Sequence, residues 1–346
     1  MSAAAGKGWQ GNFFEDFEVG QVIQGPTPRR IGEGEVALYI ALTGDRTPRF
    51  CGGERWIHPL IVFHAAFGQT VRAISLNAKA NLGYASWIWP RWVSRSAVIS
   101  TRMEIIGLKE NSSGKTGIVW VRNRARDEDQ SLVLEWVRWA MVEKRDPKTP
   151  TPYRENPVVP ELPDRVRPED LHVETKCDLP EHPLTGGRYY FEDYEAGETI
   201  FHHDGHHVTE EGHMMFTRLF QNSARVHFDA PEMEGRPLVY GGYVISVGYA
   251  QAFNGLENRL GIAAVNAGSH THPVHSGDTL YSMTRIEEVV ELESPWVGAL
   301  RCRLYVFKNL NPAQVQCEPR DGEGKAHPNL VLDLDFWELM ARRPKP

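Results

Sequence analysis

The chain has 346 residues, enough for two domains of ordinary size, each with its own core. Its hydrophobic fraction of 41% and charged fraction of 24% are those of a water-soluble globular protein. A net charge of -7 argues against bulk nucleic-acid binding but leaves room for an anionic small ligand in a local basic pocket.

Met1–Lys7 lacks the apolar core of a signal peptide, and no uninterrupted apolar stretch approaches the roughly 20 residues that span a bilayer, so a cytoplasmic protein with no membrane partner is expected. Next comes Phe14-Glu15-Asp16-Phe17-Glu18-Val19-Gly20, which returns as Phe191-Glu192-Asp193-Tyr194-Glu195-Ala196-Gly197, an offset of 177. The offset holds without a gap as far as Phe50 and His227, so the repeat is a whole domain and not a solenoid unit. Apolar residues at helical spacing follow in each copy, around Val36–Leu42 and Met214–Leu219. A second helix, apolar on most faces and therefore buried, is predicted over Ile61–Phe67 and Tyr243–Phe253. Strand-like runs come last: Thr116–Arg122 and Leu132–Trp139 in copy one, Ala299–Val306 and Leu330–Trp337 in copy two. Between the copies a proline-crowded stretch reads as an extended connector. The division expected is 1–146, a linker at 147–186, and 187–346. An α+β architecture, with antiparallel sheet wrapped around one buried helix in each copy, satisfies both apolar patterns.

Cys51, Cys177, Cys302 and Cys317 form no CxxC pair, which indicates neither a zinc cage nor a disulfide framework. His202–His207 and His270–His275 have spacings a metal could use, but both fall in strand-and-turn stretches shared with a histidine-poor first copy. No metal site is expected.

The chemistry should lie where the copies diverge. Copy one reads Thr43-Gly44-Asp45-Arg46-Thr47-Pro48-Arg49-Phe50, and copy two Gln221-Asn222-Ser223-Ala224-Arg225-Val226-His227. Here the chain resembles the MaoC-like (R)-specific enoyl-CoA hydratases, whose signature is D-x-N-P-x-H. Copy one keeps the acid and the proline with Phe50 in place of the histidine. Copy two keeps His227, with Asn222 for the acid and Arg225 for the proline. Pro273-Val274-His275-Ser276-Gly277-Asp278-Thr279-Leu280 and Val239-Tyr240-Gly241-Gly242 are similar to two further segments of that family and have only eroded counterparts in copy one. Three longer strings, Ile74–Ala85, Gly107–Gly117 and Asn222–Asp229, look like its mesaconyl-CoA hydratase branch.

The resemblance implies a double hotdog whose active site lies in copy two. It implies reversible hydration of an unsaturated acyl-CoA, mesaconyl-CoA first, with coenzyme A as part of the substrate and no separate cofactor. His227 would shuttle the proton and Asn222 would hold the water. An amide of Gly241 or Gly242, at a helix N-terminus, would receive the thioester oxygen. Arg225 is the expected clamp for a substrate carboxylate, since a planar guanidinium binds one bidentately. Lys79, Lys109 and Lys115 either meet the coenzyme phosphates or form a solvated face. Hydration of itaconyl-CoA or of a generic 2-enoyl-CoA, and an acyl-CoA-binding hotdog without turnover, stay open as alternatives. So does pairing of the fused unit into a homo-oligomer.

Overall fold

The computed structural model describes residues 7–52, 55–174, 182–231 and 233–344. Each copy opens on a 3-10 turn, Phe14–Asp16 or Phe191–Asp193. In both, the third residue's carboxylate accepts from the amide that precedes the turn: Phe13 N donates to Asp16 Oδ2 at 2.9 Å, and Tyr190 N to Asp193 Oδ2 at 2.8 Å. The turn's phenylalanine lies flat on a strand glycine. A Cβ at Gly117 or Gly298 would stand 2.3 Å from the ring of Phe14 or Phe191. Gly20 and Gly197 then take positive φ, 88° and 93°, and donate to Ile105 O and Ile286 O. The repeated heptapeptide is thus a docking device that pins each copy's entry to its own sheet.

Copy one contributes β1 (Val22–Gln24), β2 (Arg29–Arg30), β3 (Ala78–Ile88), β4 (Val98–Glu110), β5 (Thr116–Arg126) and β6 (Leu132–Glu143). Copy two contributes β7 (Thr199–His207), β8 (Arg259–His270), β9 (Thr279–Glu291), β10 (Val297–Lys308) and β11 (Leu330–Ala341). All pair antiparallel in the order β1-β4-β5-β6-β3-β8-β11-β10-β9-β7, with β2 on β4. The order reads the same from either end, so the two copies are related by a pseudo-twofold axis at the β3–β8 seam. There Tyr84 stands opposite Gly268 and Ala85 opposite Ala267. One continuous sheet therefore serves both copies, where two separate sheets would also have met the expectation.

The sheet wraps two central helices, Pro59–Thr70 and Gly241–Gln251. All of the first is buried, as is the second from Gly242 onward, which explains apolar residues on every face. They meet across the axis through equivalent positions, where His64 Nε2 lies 2.8 Å from Ser246 Oγ. The helices Glu33–Thr43 and Glu210–Leu219 flank them. Residues of 147–174 cross from copy one to copy two: Val158 bridges to Leu108 of β4, Val166 N donates to Asn266 Oδ1, and Val166 O accepts from Trp337 Nε1.

The copies differ most in two connections. The central helices are offset by 182, not 177, so copy two carries five extra residues between His227 and its helix. Residues 309–329 join β10 to β11, where copy one needs only 127–131.

Gly68 of the first central helix passes so close to the loop before Asn222 that a Cβ would sit 1.8 Å from Phe220 O. Backbone cannot swing aside as a side chain can. Gly68→Ala is expected to destabilise the fold by about 1–3 kcal/mol or more, seen as a lowered thermal midpoint; Gly20→Ala, whose Cβ would meet nothing within 4 Å, isolates the cost of the left-handed backbone alone.

Candidate active site

A cavity of about 300 Å³ opens at the seam. Copy two supplies Asn222, His227, Gly241 and His270 to its wall, and copy one supplies Ser75 and Arg138. Among the described residues, no carboxylate lines it.

His227 closes the 3-10 turn Arg225–His227. Its Nδ1 lies 2.8 Å from Leu238 O. A carbonyl only accepts, so Nδ1 carries the proton and Nε2 keeps its lone pair. Burial lowers its pKa to about 4, because the imidazolium would lose its water; the residue is 9% exposed. At neutral pH it is therefore a neutral base with a fixed tautomer. Leu238 belongs to the longer connection of copy two, and Leu238 N donates back to Val226 O, which locks that connection to the turn.

Asn222 is 2% exposed, and its Oδ1 accepts from Ala224 N at 3.2 Å. Asp45 makes the same contact in copy one, from Thr47 N to Oδ1 at 2.7 Å. The position thus has a structural task common to both copies, closing an Asx turn, which either residue type fulfils. With Oδ1 engaged, Asn222 offers the cavity an NH2 that can only donate.

Gly241 and Gly242 begin the second central helix, where the first amides have no carbonyl one turn back. Gly241 lines the cavity and Gly242 does not. Both must be glycine for space. A Cβ at Gly241 would come 2.4 Å from His270 Nε2, and one at Gly242 the same distance from the Tyr240 ring. Of the two, Gly241 is the one that borders the cavity.

Arg138, on β6, is wholly buried. Nη1 donates to Asn81 Oδ1 at 3.2 Å, Nη2 to Thr70 Oγ1 at 2.9 Å and to Ser75 Oγ at 3.2 Å, and the guanidinium lies over the Phe67 ring. Thr70 ends the first central helix, and the π-helical turn that follows, Val71–Ser75, brings Ser75 to the same guanidinium. Burial draws its pKa down to about 10, which leaves it charged at neutral pH.

The pseudo-equivalent site of copy one is closed. Phe50 is buried, its ring centroid 4.6 Å from that of His58. His58 Nε2 lies 3.1 Å from Asp45 Oδ2, and Arg259 Nη2 lies 3.8 Å from the same oxygen. Although burial pushes the Asp45 carboxyl up, His58 and Arg259 pull it below the usual carboxylate range. Asp45 thus belongs to a sealed cluster and does not join His227.

The expected carboxylate clamp stands apart from these residues. Arg225 does not line the cavity; its Nη2 reaches Gln10 O at 3.4 Å on the exposed side of the turn. With three residues per 3-10 turn, positions two apart diverge, so sharing a motif with His227 does not mean sharing a site. Lys79 lies at the cavity edge, paired with Glu143, while Lys109 and Lys115 are exposed near the β4–β5 hairpin, outside the lining. The histidine clusters are separately engaged: His202 with Asn254 O and Thr284 Oγ1, His206 with the Tyr243 hydroxyl, His272 with Leu330 O. Among the described residues, no three His, Cys, Asp or Glu side chains are grouped to hold a metal, and no helix is long and apolar enough to cross a membrane. Arg138 was missed by the sequence reading, although strand alternation places it on the inward face with Leu134 and Trp136.

The sequence profile described as mesaconyl-CoA hydratase matches residues 4–313. The chain is 45% identical to a β-methylmalyl-CoA dehydratase of Chloroflexus aurantiacus and 42% identical to a mesaconyl-CoA hydratase of Cereibacter sphaeroides; each match covers 96% of this chain and 98% of the relative. Among solved structures, a protein described as a MaoC domain dehydratase from C. aurantiacus superposes with a TM-score of 0.92 at 44% identity, covering 98% of this chain and all of that one. A Mycobacterium tuberculosis protein with a double hotdog fold gives 0.74 at 27% identity, covering 96% and 99%.

The His227 ring should titrate near pH 4, with its proton on Nδ1 above that, as read by ring-nitrogen NMR. The sign for stability follows. The unfolded chain binds this proton below about pH 6.5 and the folded chain only near 4, so the His227 contribution is full above 6.5 and lost as pH falls through 4. A ring titrating at its ordinary value would refute the buried, neutral assignment.

Proposed function

The chain belongs to the mesaconyl-CoA hydratase family, and from that premise we propose that the cavity at the seam adds water reversibly to mesaconyl-CoA, giving β-methylmalyl-CoA. The observation that carries the mechanism is a neutral His227, buried beside a helix N-terminus, with Nδ1 held by Leu238 O and Nε2 left as a base.

Nε2 of His227 takes a proton from water as the water oxygen attacks the carbon β to the thioester. The π electrons move onto the thioester oxygen as an enolate. The amide of Gly241, at the positive end of the helix, stabilises that charge, a kind of donor worth about 10²–10³ in rate. The imidazolium then gives its proton to the α carbon, and both groups return to their starting state. Its low proton affinity in this buried site drives that second transfer. The Asn222 NH2 donates to the water oxygen and so orients a lone pair toward the β carbon. Asn222 cannot accept the proton, so one base serves both transfers. The reaction changes no oxidation state, and coenzyme A enters as part of the substrate. Because CoA esters are made and kept inside cells, the proposed reaction is a cytoplasmic one.

Mixing the protein with mesaconyl-CoA should bleach the enoyl-thioester ultraviolet band and yield an ester heavier by one water. Binding without bleaching would overturn the enzymatic reading, and release of free thiol would indicate a thioesterase. His227→Ala should lower kcat/KM by about 10²–10⁴. In the intact enzyme kcat/KM should stay level from neutral pH down to about 5 and fall only as His227 protonates near 4.

A further inference from the structure

Arg138 presents a physical problem that its protein surroundings do not solve. Removing a guanidinium from water costs several kcal/mol, and proteins meet that cost with a counter-charge. Arg138 has none. Its partners, Asn81 Oδ1, Thr70 Oγ1 and Ser75 Oγ, are all uncharged, its Nε is buried without a partner, and the cavity beside it has no carboxylate. The other wholly buried guanidinium of this region, Arg259, meets Asp45 in the sealed site of copy one. Arg259 is completed from within, and Arg138 opens onto a cavity. Lys79, the other lysine or arginine of the lining, is half-exposed and paired with Glu143.

Resting on the hydration reading above, we infer that Arg138 is the receptor for the free carboxylate of a dicarboxylic acyl-CoA, so that the copy lacking a base supplies the group that selects the substrate. In mesaconyl-CoA the carboxylate sits on the carbon that receives water, one double bond from the thioester. A fixed guanidinium on the copy-one wall and a helix-end amide on the copy-two wall would hold the two ends of that short acyl group, with the double bond presented to His227. A planar fork suits a planar carboxylate, and the π-helical turn that carries Ser75 keeps the fork oriented.

The test compares mesaconyl-CoA with tiglyl-CoA, which has a methyl group in place of the carboxylate. In Arg138→Met the ratio of kcat/KM for the two esters should fall by about 100-fold or more. Asn81→Asp keeps the size of the side chain but places a carboxylate on Arg138 Nη1; by satisfying the guanidinium internally it should also lower the ratio, by about tenfold or more. Equal losses on both esters in the two variants would overturn the assignment. A binding measurement separates this inference from the reaction itself. By calorimetry on the unmodified protein, succinyl-CoA should bind at least about tenfold tighter than butyryl-CoA, and that preference should vanish in Asn81→Asp. If mesaconyl-CoA is not hydrated yet the succinyl preference holds, the reaction assignment fails and the receptor stands. If mesaconyl-CoA is hydrated and the two saturated esters bind alike, the receptor fails and the reaction stands.

Discussion

The pairing of β3 with β8 is the contact on which the rest depends. It turns two sheets into one and sets Tyr84 against Gly268 at the centre of the molecule. Backbone hydrogen bonds fix that register with little freedom, because a slip of one residue would exchange inward and outward faces along both strands. The cavity wall inherits this precision. His270 at the end of β8 reaches over Gly241, with its Nε2 3.4 Å from the Tyr84 hydroxyl of β3, so the two copies meet within the site itself.

From that seam the asymmetry of the halves takes on a physical shape. Both pseudo-equivalent sites receive a buried arginine, and their difference lies in what answers it. In the first, Asp45, His58 and Arg259 neutralise one another and Phe50 fills the remaining space. In the second, Phe50 is replaced by His227, Asp45 by Asn222, and the void persists. The exchange of Asp for Asn matters electrostatically. A carboxylate at 222 would stand in the same cavity as the Arg138 guanidinium, whereas the amide closes the same turn and leaves the cavity's positive charge unanswered.

Much of this could be read in the chain. The repeated heptapeptide, the two buried helices and the closing strands follow from local pattern, whereas His227, Asn222 and Gly241 were singled out by the resemblance to the hydratase signatures. What could not be read depends on contacts between distant segments. Leu238 became the histidine's anchor only because five extra residues loop back onto the turn. Arg138 is 89 residues from His227, and they share a cavity solely through the seam. Its inward position was legible from alternation with Leu134 and Trp136, but alternation says nothing of what it faces. Arg225 attracted attention by proximity in sequence, and a 3-10 turn directs it elsewhere.

The sealed first site also bears on how reversible its loss is. Returning a histidine to position 50 would not recreate a second base. The ring would enter a space packed by His58 and Trp92, beside a helix that begins with Pro59 and Leu60 where the other begins with two glycines, and without a long connection to bring up a carbonyl. Each of those features now stabilises the half that supplies the opposite wall. A single substitution at position 50 would therefore not give the first half a histidine held as His227 is, because the space, the helix start and the anchoring carbonyl are all different there.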